Sequence, residues 1–168
     1  MTDRTRWERL AEQDFSPWEE RLKIMAARIV PGEVVIDVGA GSRALRGLIS
    51  PDCLYLPLDC VETSPIFYDF DSRGSPPCLK ADTAVMSGIL EYLYGPRHAL
   101  ATVAKWAPRI LLSYAVASGN IEDRVKNGWV SHMTRAELDV VFDDTDLKAV
   151  EFGVWQEQSL FEAVRKEF

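Results

Sequence analysis

The stretch Val34-Val35-Ile36-Asp37-Val38-Gly39-Ala40-Gly41-Ser42 decides how this chain folds. Val34 to Val38 is apolar on both faces except at Asp37, a pattern that belongs to a central strand of a parallel sheet rather than a half-exposed one. Glycine at 39 and 41 lets a ligand approach the backbone, because no Cβ stands in the way. A short helix carrying Leu45, Leu48 and Ile49 is expected next, and the first N–H groups of a helix have no partner inside it. Gly39-Ala40-Gly41-Ser42-Arg43-Ala44 therefore reads as a nucleotide-type binding turn. A GxGxxA match by itself specifies only a tight turn; the order strand, turn, helix is what gives it weight.

Upstream, Ser16-Pro17-Trp18-Glu19 forms a capping box with proline at the first helical position. Trp18, Leu22, Met25 and Ile29 follow on one apolar helical face, and Pro31-Gly32 ends the segment. Downstream, Cys53 to Leu58 reads as a second strand closed by Asp59, with Pro57 counting against a complete ladder. Ile66-Phe67-Tyr68 is a third strand closed by Asp69, and a Gly/Ser/Pro-rich loop from 72 to 77 leads to a fourth, Thr83 to Met86. Pro96 opens a helix with Leu100, Val103 and Ala104 on one face, and Arg109 to Tyr114 is the fifth strand. Thr134-Arg135-Ala136-Glu137 is another capping box, backed by Leu138, Val141 and Phe142. The segments 148–155 and 159–165 alternate and predict a hairpin. Together these elements predict an α/β, Rossmann-like doubly wound fold. Its seven-stranded sheet is mainly parallel with an antiparallel C-terminal hairpin, and helices cover both faces. A single domain over 1–168 is expected, with 1–30 as a helical cap and 31–168 as the core.

A chain of 168 residues, 47% hydrophobic and 27% charged, can build a core without metal or disulfide staples. Cys53, Cys60 and Cys78 show no CxxC or Cys/His spacing, so no metal site is expected and the thiols read as reduced, as in a cytoplasmic protein. A net charge of −7 argues against a nucleic acid partner. No apolar run reaches the length of a membrane span and no apolar h-region follows Met1, which predicts a soluble, unexported chain without a membrane partner. Nothing in the sequence fixes an oligomeric state.

Asp37, two positions before Gly39, resembles the first motif of the class I S-adenosylmethionine-dependent methyltransferases. The segment Asp82-Thr83-Ala84-Val85-Met86-Ser87-Gly88-Ile89-Leu90-Glu91-Tyr92-Leu93 is similar to that family's "DxVxxxxVLEHL" stretch, and it supplies a second, independent match. The resemblance implies S-adenosyl-L-methionine as cofactor, with Asp37 near the amino group of its methionine moiety and Gly39, Ala40 and Gly41 lining it. It further implies Asp59 on the ribose hydroxyls with Cys60 beside it, Asp69 and Phe70 at the adenine, and Ser87 at the end of the fourth strand. Asp71 rivals Asp69 for the adenine amine. Arg43 departs from the pattern, since many members carry a third glycine there.

The resemblance implies methyl transfer to a small-molecule, sugar or natural-product acceptor. Two candidates for catalytic roles stand out: His132 as a base and Tyr114 near the transferred methyl, each equally readable as a capping, surface or core-edge residue. Glu91 either faces the pocket or serves a helix start. Trp129 reads as a pocket wall or as core, and the N-terminal helix and the 115–129 segment are the expected covers of the pocket. Two other functions stay open at this point. A NAD(P)-binding oxidoreductase also places an acid about 20 residues after its glycine turn, and a methyltransferase-like module without catalysis would keep the same motifs.

Overall fold

In the computed structural model, which describes residues 16–72, 74–119 and 121–166, the segment Val34–Val38 is strand β1 and lies inside the sheet. Strands β2 (Leu54–Asp59), β3 (Ile66–Phe67), β4 (Thr83–Ser87), β5 (Arg109–Tyr114), β6 (Leu147–Trp155) and β7 (Gln158–Arg165) complete it in the order β3-β2-β1-β4-β5-β7-β6. β1 to β5 pair in parallel, and β7 runs antiparallel to both β5 and β6. The mainly parallel seven-stranded sheet with its terminal hairpin is thus the expected one. Residues 1–15 of the expected cap, and the side chain of Ser16 that was to close its capping box, lie outside the described residues.

Alternation along the strands divides the core in two. Val35, Val85 and Leu111 point to one face, where they meet Met25 of helix α1 (Ser16–Ala26) together with Leu45, Ile49 and Cys53. Ile36, Met86, Ile110 and Leu112 point to the other. There they bury Leu100 and Val103 of α2 (Pro96–Trp106) and Leu138 and Phe142 of α4 (Arg135–Asp144). An intervening short helix, α3 (Ile121–Lys126), was not legible in the sequence.

Pro57 is accommodated by the parallel ladder. Leu58 O accepts from Gly39 N at 2.8 Å and so faces β1, whereas Pro57 O faces the other way and accepts from Ser64 Oγ at 3.4 Å. β3 starts opposite Leu58, so the N–H that proline lacks would have had no strand to donate to.

Three elements are shorter than expected, the first being α1, which ends at Ala26 rather than running on to Pro31-Gly32. The short helix expected after the glycine turn, through Leu48 and Ile49, is a 3-10 helix that spans only Ala44–Gly47. Arg43 in left-handed conformation on one side (φ 62), then Gly47 and Pro51 on the other, leave no run in which α-helical hydrogen bonds could propagate. The third strand loses Tyr68, although Tyr68 N still donates to Asp59 O at 2.9 Å.

The second capping box is formed as read: Glu137 N donates to Thr134 Oγ1 at 3.3 Å and Thr134 N donates to Glu137 Oε2 at 2.8 Å. Replacing Thr134 by Ala is expected to cost about 1 kcal/mol. A urea midpoint equal to the parent's would show that this cap contributes nothing.

Candidate functional site

In an open α/β sheet, ligands bind beyond the carboxyl ends of the strands where the strand order reverses. Here the reversal falls between β1 and β4. A cavity of about 720 Å³ opens at that point. Asp37, Gly39, Ala40 and Gly41 line it from the end of β1, and Asp59 and Cys60 from the end of β2. Asp69 and Phe70 line it after β3, and Ser87 at the end of β4. Every residue that the motifs assigned to a cofactor therefore faces one space.

The turn is built as the glycines require. Gly39 and Gly41 have φ of 74 and 48, in the left-handed region that costs a residue with a Cβ. A Cβ on Gly39 would also come within 2.9 Å of Ile89 Cδ1. The Asp59 carboxylate holds the turn in place, accepting from Gly41 N at 2.8 Å through Oδ2 and from Cys60 N at 2.7 Å through Oδ1. Each oxygen keeps a further lone pair for a ligand hydroxyl. Burial raises the Cys60 thiol to about 12, which keeps it protonated. Arg43 adopts the conformation a glycine would take and swings outward, donating from Nη2 to Thr63 O at 3.0 Å.

Asp37 is 4% exposed and accepts from Tyr55 Oη at 2.6 Å. Desolvation raises its pKa from 3.8 to about 7, against the Tyr55 hydrogen bond and with a further push from Asp59. A buried acid in this state favours a cationic ligand group, whose charge would restore the ionised form.

At the far end Asp69, 6% exposed, accepts from Asp71 N at 3.0 Å. Asp71 turns away from the cavity and accepts from Tyr94 N at 3.1 Å, which removes it as a rival. Phe70 and Tyr68 lie edge to face at 4.9 Å, both lining the cavity, and the buried Tyr68 hydroxyl has no hydrogen-bond partner among the described residues.

Tyr114 and His132 do not line the cavity. Tyr114 is fully buried, and its hydroxyl meets Ser131 Oγ at 3.1 Å, Met133 N at 2.8 Å and Arg124 Nη2 at 3.4 Å. His132 Nδ1 accepts from Arg124 Nε at 3.2 Å. Both therefore help anchor the segment that carries α3, and the physical reason is Arg124, a buried cation whose donors gather them. Glu91 is fully buried; its Oε1 accepts from Ala115 N at 2.8 Å, and burial raises its pKa despite the nearby Arg21 and Arg124.

Sequence reasoning missed the tip of the β6–β7 hairpin and Arg21. Gln156 takes a positive φ of 51 at that tip, and Trp155 to Gln158 line the cavity. Trp129, Lys126 and Asn127 enclose another side, and Trp18, Arg21 and Leu22 of α1 a third. The signal for Arg21 was present: it falls three residues after Trp18 and four before Met25, a charge inside an apolar stripe.

No protein-family model matches the chain, and no curated protein matches it in sequence. Solved structures do match in shape. A chain of the complex between the Haloferax volcanii Trm112 methyltransferase activator and a candidate methyltransferase superposes with a TM-score of 0.74 at 18% identity, covering 98% of both chains. The chain has the class I methyltransferase fold. The N-methyltransferase NodS of Bradyrhizobium japonicum, in complex with S-adenosyl-L-homocysteine, superposes at 0.68 with 14% identity and 98% coverage of both chains. The Burkholderia thailandensis 1,6-didemethyltoxoflavin-N1-methyltransferase, also with S-adenosylhomocysteine, superposes at 0.66 with 19% identity, covering 91% of this chain and 79% of its own. In this methyltransferase fold the glycine turn, the acids and the hairpin tip all meet at one end of the sheet.

The folded state holds the Asp37 proton more tightly than the unfolded chain does. Stability contributed by this group is thus present at low pH and lost as pH rises from 3.8 to about 7. Asp37→Asn is expected to be more stable than the parent at pH 8, on the order of 1 kcal/mol, and not at pH 4; urea midpoints at the two pH values decide. For Arg43→Gly, relief of the left-handed backbone and loss of the Thr63 hydrogen bond, each about 1 kcal/mol, nearly cancel. A midpoint change equivalent to more than about 2 kcal/mol would contradict this.

Proposed function

We propose that this chain is a cytoplasmic S-adenosylmethionine-dependent methyltransferase acting on a small-molecule, sugar or natural-product acceptor. The observation that carries the proposal is the convergence of Asp37, Asp59 and Asp69 with the Gly39–Gly41 turn on one cavity at the reversal point of the sheet. These residues fit the cofactor by chemistry. Asp37 suits an ammonium, Asp59 a pair of vicinal hydroxyls, and Asp69 with Phe70 an aminated ring in an apolar slot. The orphaned Tyr68 hydroxyl beside that slot supplies a further polar group where a ligand would enter.

When bound, the cofactor supplies a methyl group on a sulfonium, open to in-line displacement by a nucleophile. The chain's own contribution is orientation and exclusion of water. Trp18 of α1, Trp129 in the loop after α3 and Trp155 at the end of β6 wall the part of the cavity not taken by the motif residues. Holding two reactants in attack geometry is worth about 7–11 kcal/mol without a base, consistent with Tyr114 and His132 lying outside the cavity.

The oxidoreductase reading fares worse on two observations. An antiparallel β7 inserted next to β5 departs from the all-parallel dinucleotide order. The 3-10 turn after Gly41, entered through a left-handed Arg43, also lacks the α-helix N-terminus that would seat a pyrophosphate.

Titration calorimetry is expected to show S-adenosylhomocysteine binding and no competition from NAD(H). Asp59→Ala is expected to weaken that binding at least tenfold, since it removes both the ribose acceptor and the brace on Gly41. Tight NAD(H) binding in place of S-adenosylhomocysteine would sink the proposal. Binding without transfer of labelled methyl across a broad acceptor panel would reduce it to a non-catalytic module.

A further inference from the structure

The order of the sheet divides the cavity. The acids and glycines that line it follow β1, β2 and β3, whereas Trp129 follows β5 and Trp155 ends β6. β4 stands between the two halves, and Tyr92 comes from the 3-10 turn just after it. Trp18 enters from α1. Four aromatic side chains from outside the motifs thus line the space that the motif residues leave.

Two of these rings already carry a cation on one face. Arg124, 8% exposed and not itself part of the lining, has its Cζ 4.8 Å from the centre of the Trp129 ring. Arg21 Cζ stands 5.4 Å from the centre of the Trp155 ring. Both guanidinium groups are tied down. Arg124 donates to Ala115 O at 2.5 Å and to Ser131 O at 3.0 Å. Arg21 donates to Ser87 Oγ at 2.8 Å and to Gln158 Oε1 at 2.5 Å. The backbone fixes the rings in turn. Trp129 N donates to Arg124 O at 3.1 Å, and the next two N–H groups, of Val130 and Ser131, donate to Glu91 O at 2.8 and 3.0 Å. Trp155 is paired with Gln158 across the hairpin tip.

Walls of this kind select by shape and charge. An aromatic ring favours a second ring, offset or edge to face, and walls ordered beforehand spare the cost of ordering them on binding. A cationic acceptor gains little, because a guanidinium already uses the π system of each ring and repels a second positive charge. A saturated polyol such as a sugar needs polar partners around its edge. In this half Lys126, Asn127, Gln156 and Glu157 are exposed, and the buried Gln158 is engaged by Arg21.

We infer that this half of the cavity takes a planar aromatic acceptor without positive charge, seated against Trp129 and Trp155. The inference rests on the methyltransferase reading and narrows its acceptor to one class.

Calorimetry on the protein saturated with S-adenosylhomocysteine tests it with four probes. These are 4-hydroxybenzyl alcohol, its saturated counterpart 4-(hydroxymethyl)cyclohexanol, the cationic 4-hydroxybenzylamine, and methyl glucoside. The first is expected to bind at least tenfold more tightly than each of the others, a preference read in the parent without any variant. Trp129→Leu and Trp155→Leu keep an apolar side chain and remove the ring. Each is expected to weaken 4-hydroxybenzyl alcohol at least fivefold while leaving the saturated probe within threefold. Trp129→Phe is expected to recover part of the loss, and urea midpoints report folding of all three variants. Equal binding of the planar and saturated probes, tighter binding of the amine or the glucoside, or leucine variants that keep the planar preference would each overturn the inference. So would a parent that binds S-adenosylhomocysteine and none of the four. A parent that does not bind S-adenosylhomocysteine at all overturns the methyltransferase reading itself.

Discussion

The site depends on one constraint: a carboxylate stands at the end of a strand buried on both faces. Asp37 cannot leave without unravelling β1, which is paired to β2 over its length and to β4 from Val35 to Asp37. Nor can it be hydrated where it is. Tyr55 stabilises the ionised form by one short hydrogen bond, and burial opposes it more strongly. The protein thus keeps, at the centre of its sheet, an acid close to the balance between neutral and charged. Ligand charge decides that balance, and the neighbouring glycines decide how near the ligand comes.

The shortened helix after the turn fits the same electrostatics. An α-helix N-terminus would bring partial positive charge and a set of free N–H groups, suited to phosphate. A 3-10 turn of four residues brings little of either. With Asp37, Asp59 and Asp69 facing the cavity and Arg21 and Lys126 among its lining, charges of both signs surround it.

The architecture and the residues that line the cavity were legible because they obey local rules. β5 runs over Arg109–Tyr114 as its apolar run indicates, and the Thr134 capping box closes as its spacing requires. Asp37 and Asp59 follow from their places at strand ends. What was not legible was set by contacts that leave no periodic mark in the sequence. Tyr114 and His132 read as candidates because both lie near the expected pocket in the chain, but Arg124, itself on a helix with no periodic signature, draws them away from it. The hairpin tip carries no glycine or asparagine to advertise its positive φ, so Gln156 gave no hint of the turn it makes. Arg21 was visible as an anomaly in an apolar stripe, yet only the fold shows what that anomaly faces.

The hydrogen bond from Arg21 to Gln158 joins residues 137 positions apart. The cavity is consequently closed by segments far apart in the chain, and contacts of such separation carry the largest loop-closure entropy. β1 to β5 and their loops carry the acids and the glycine turn, and the hairpin tip and α1 supply the rest of the enclosure. Enclosure of the cavity and docking of the hairpin on α1 therefore rest on the same contact, and a molecule held there would fasten the one to the other.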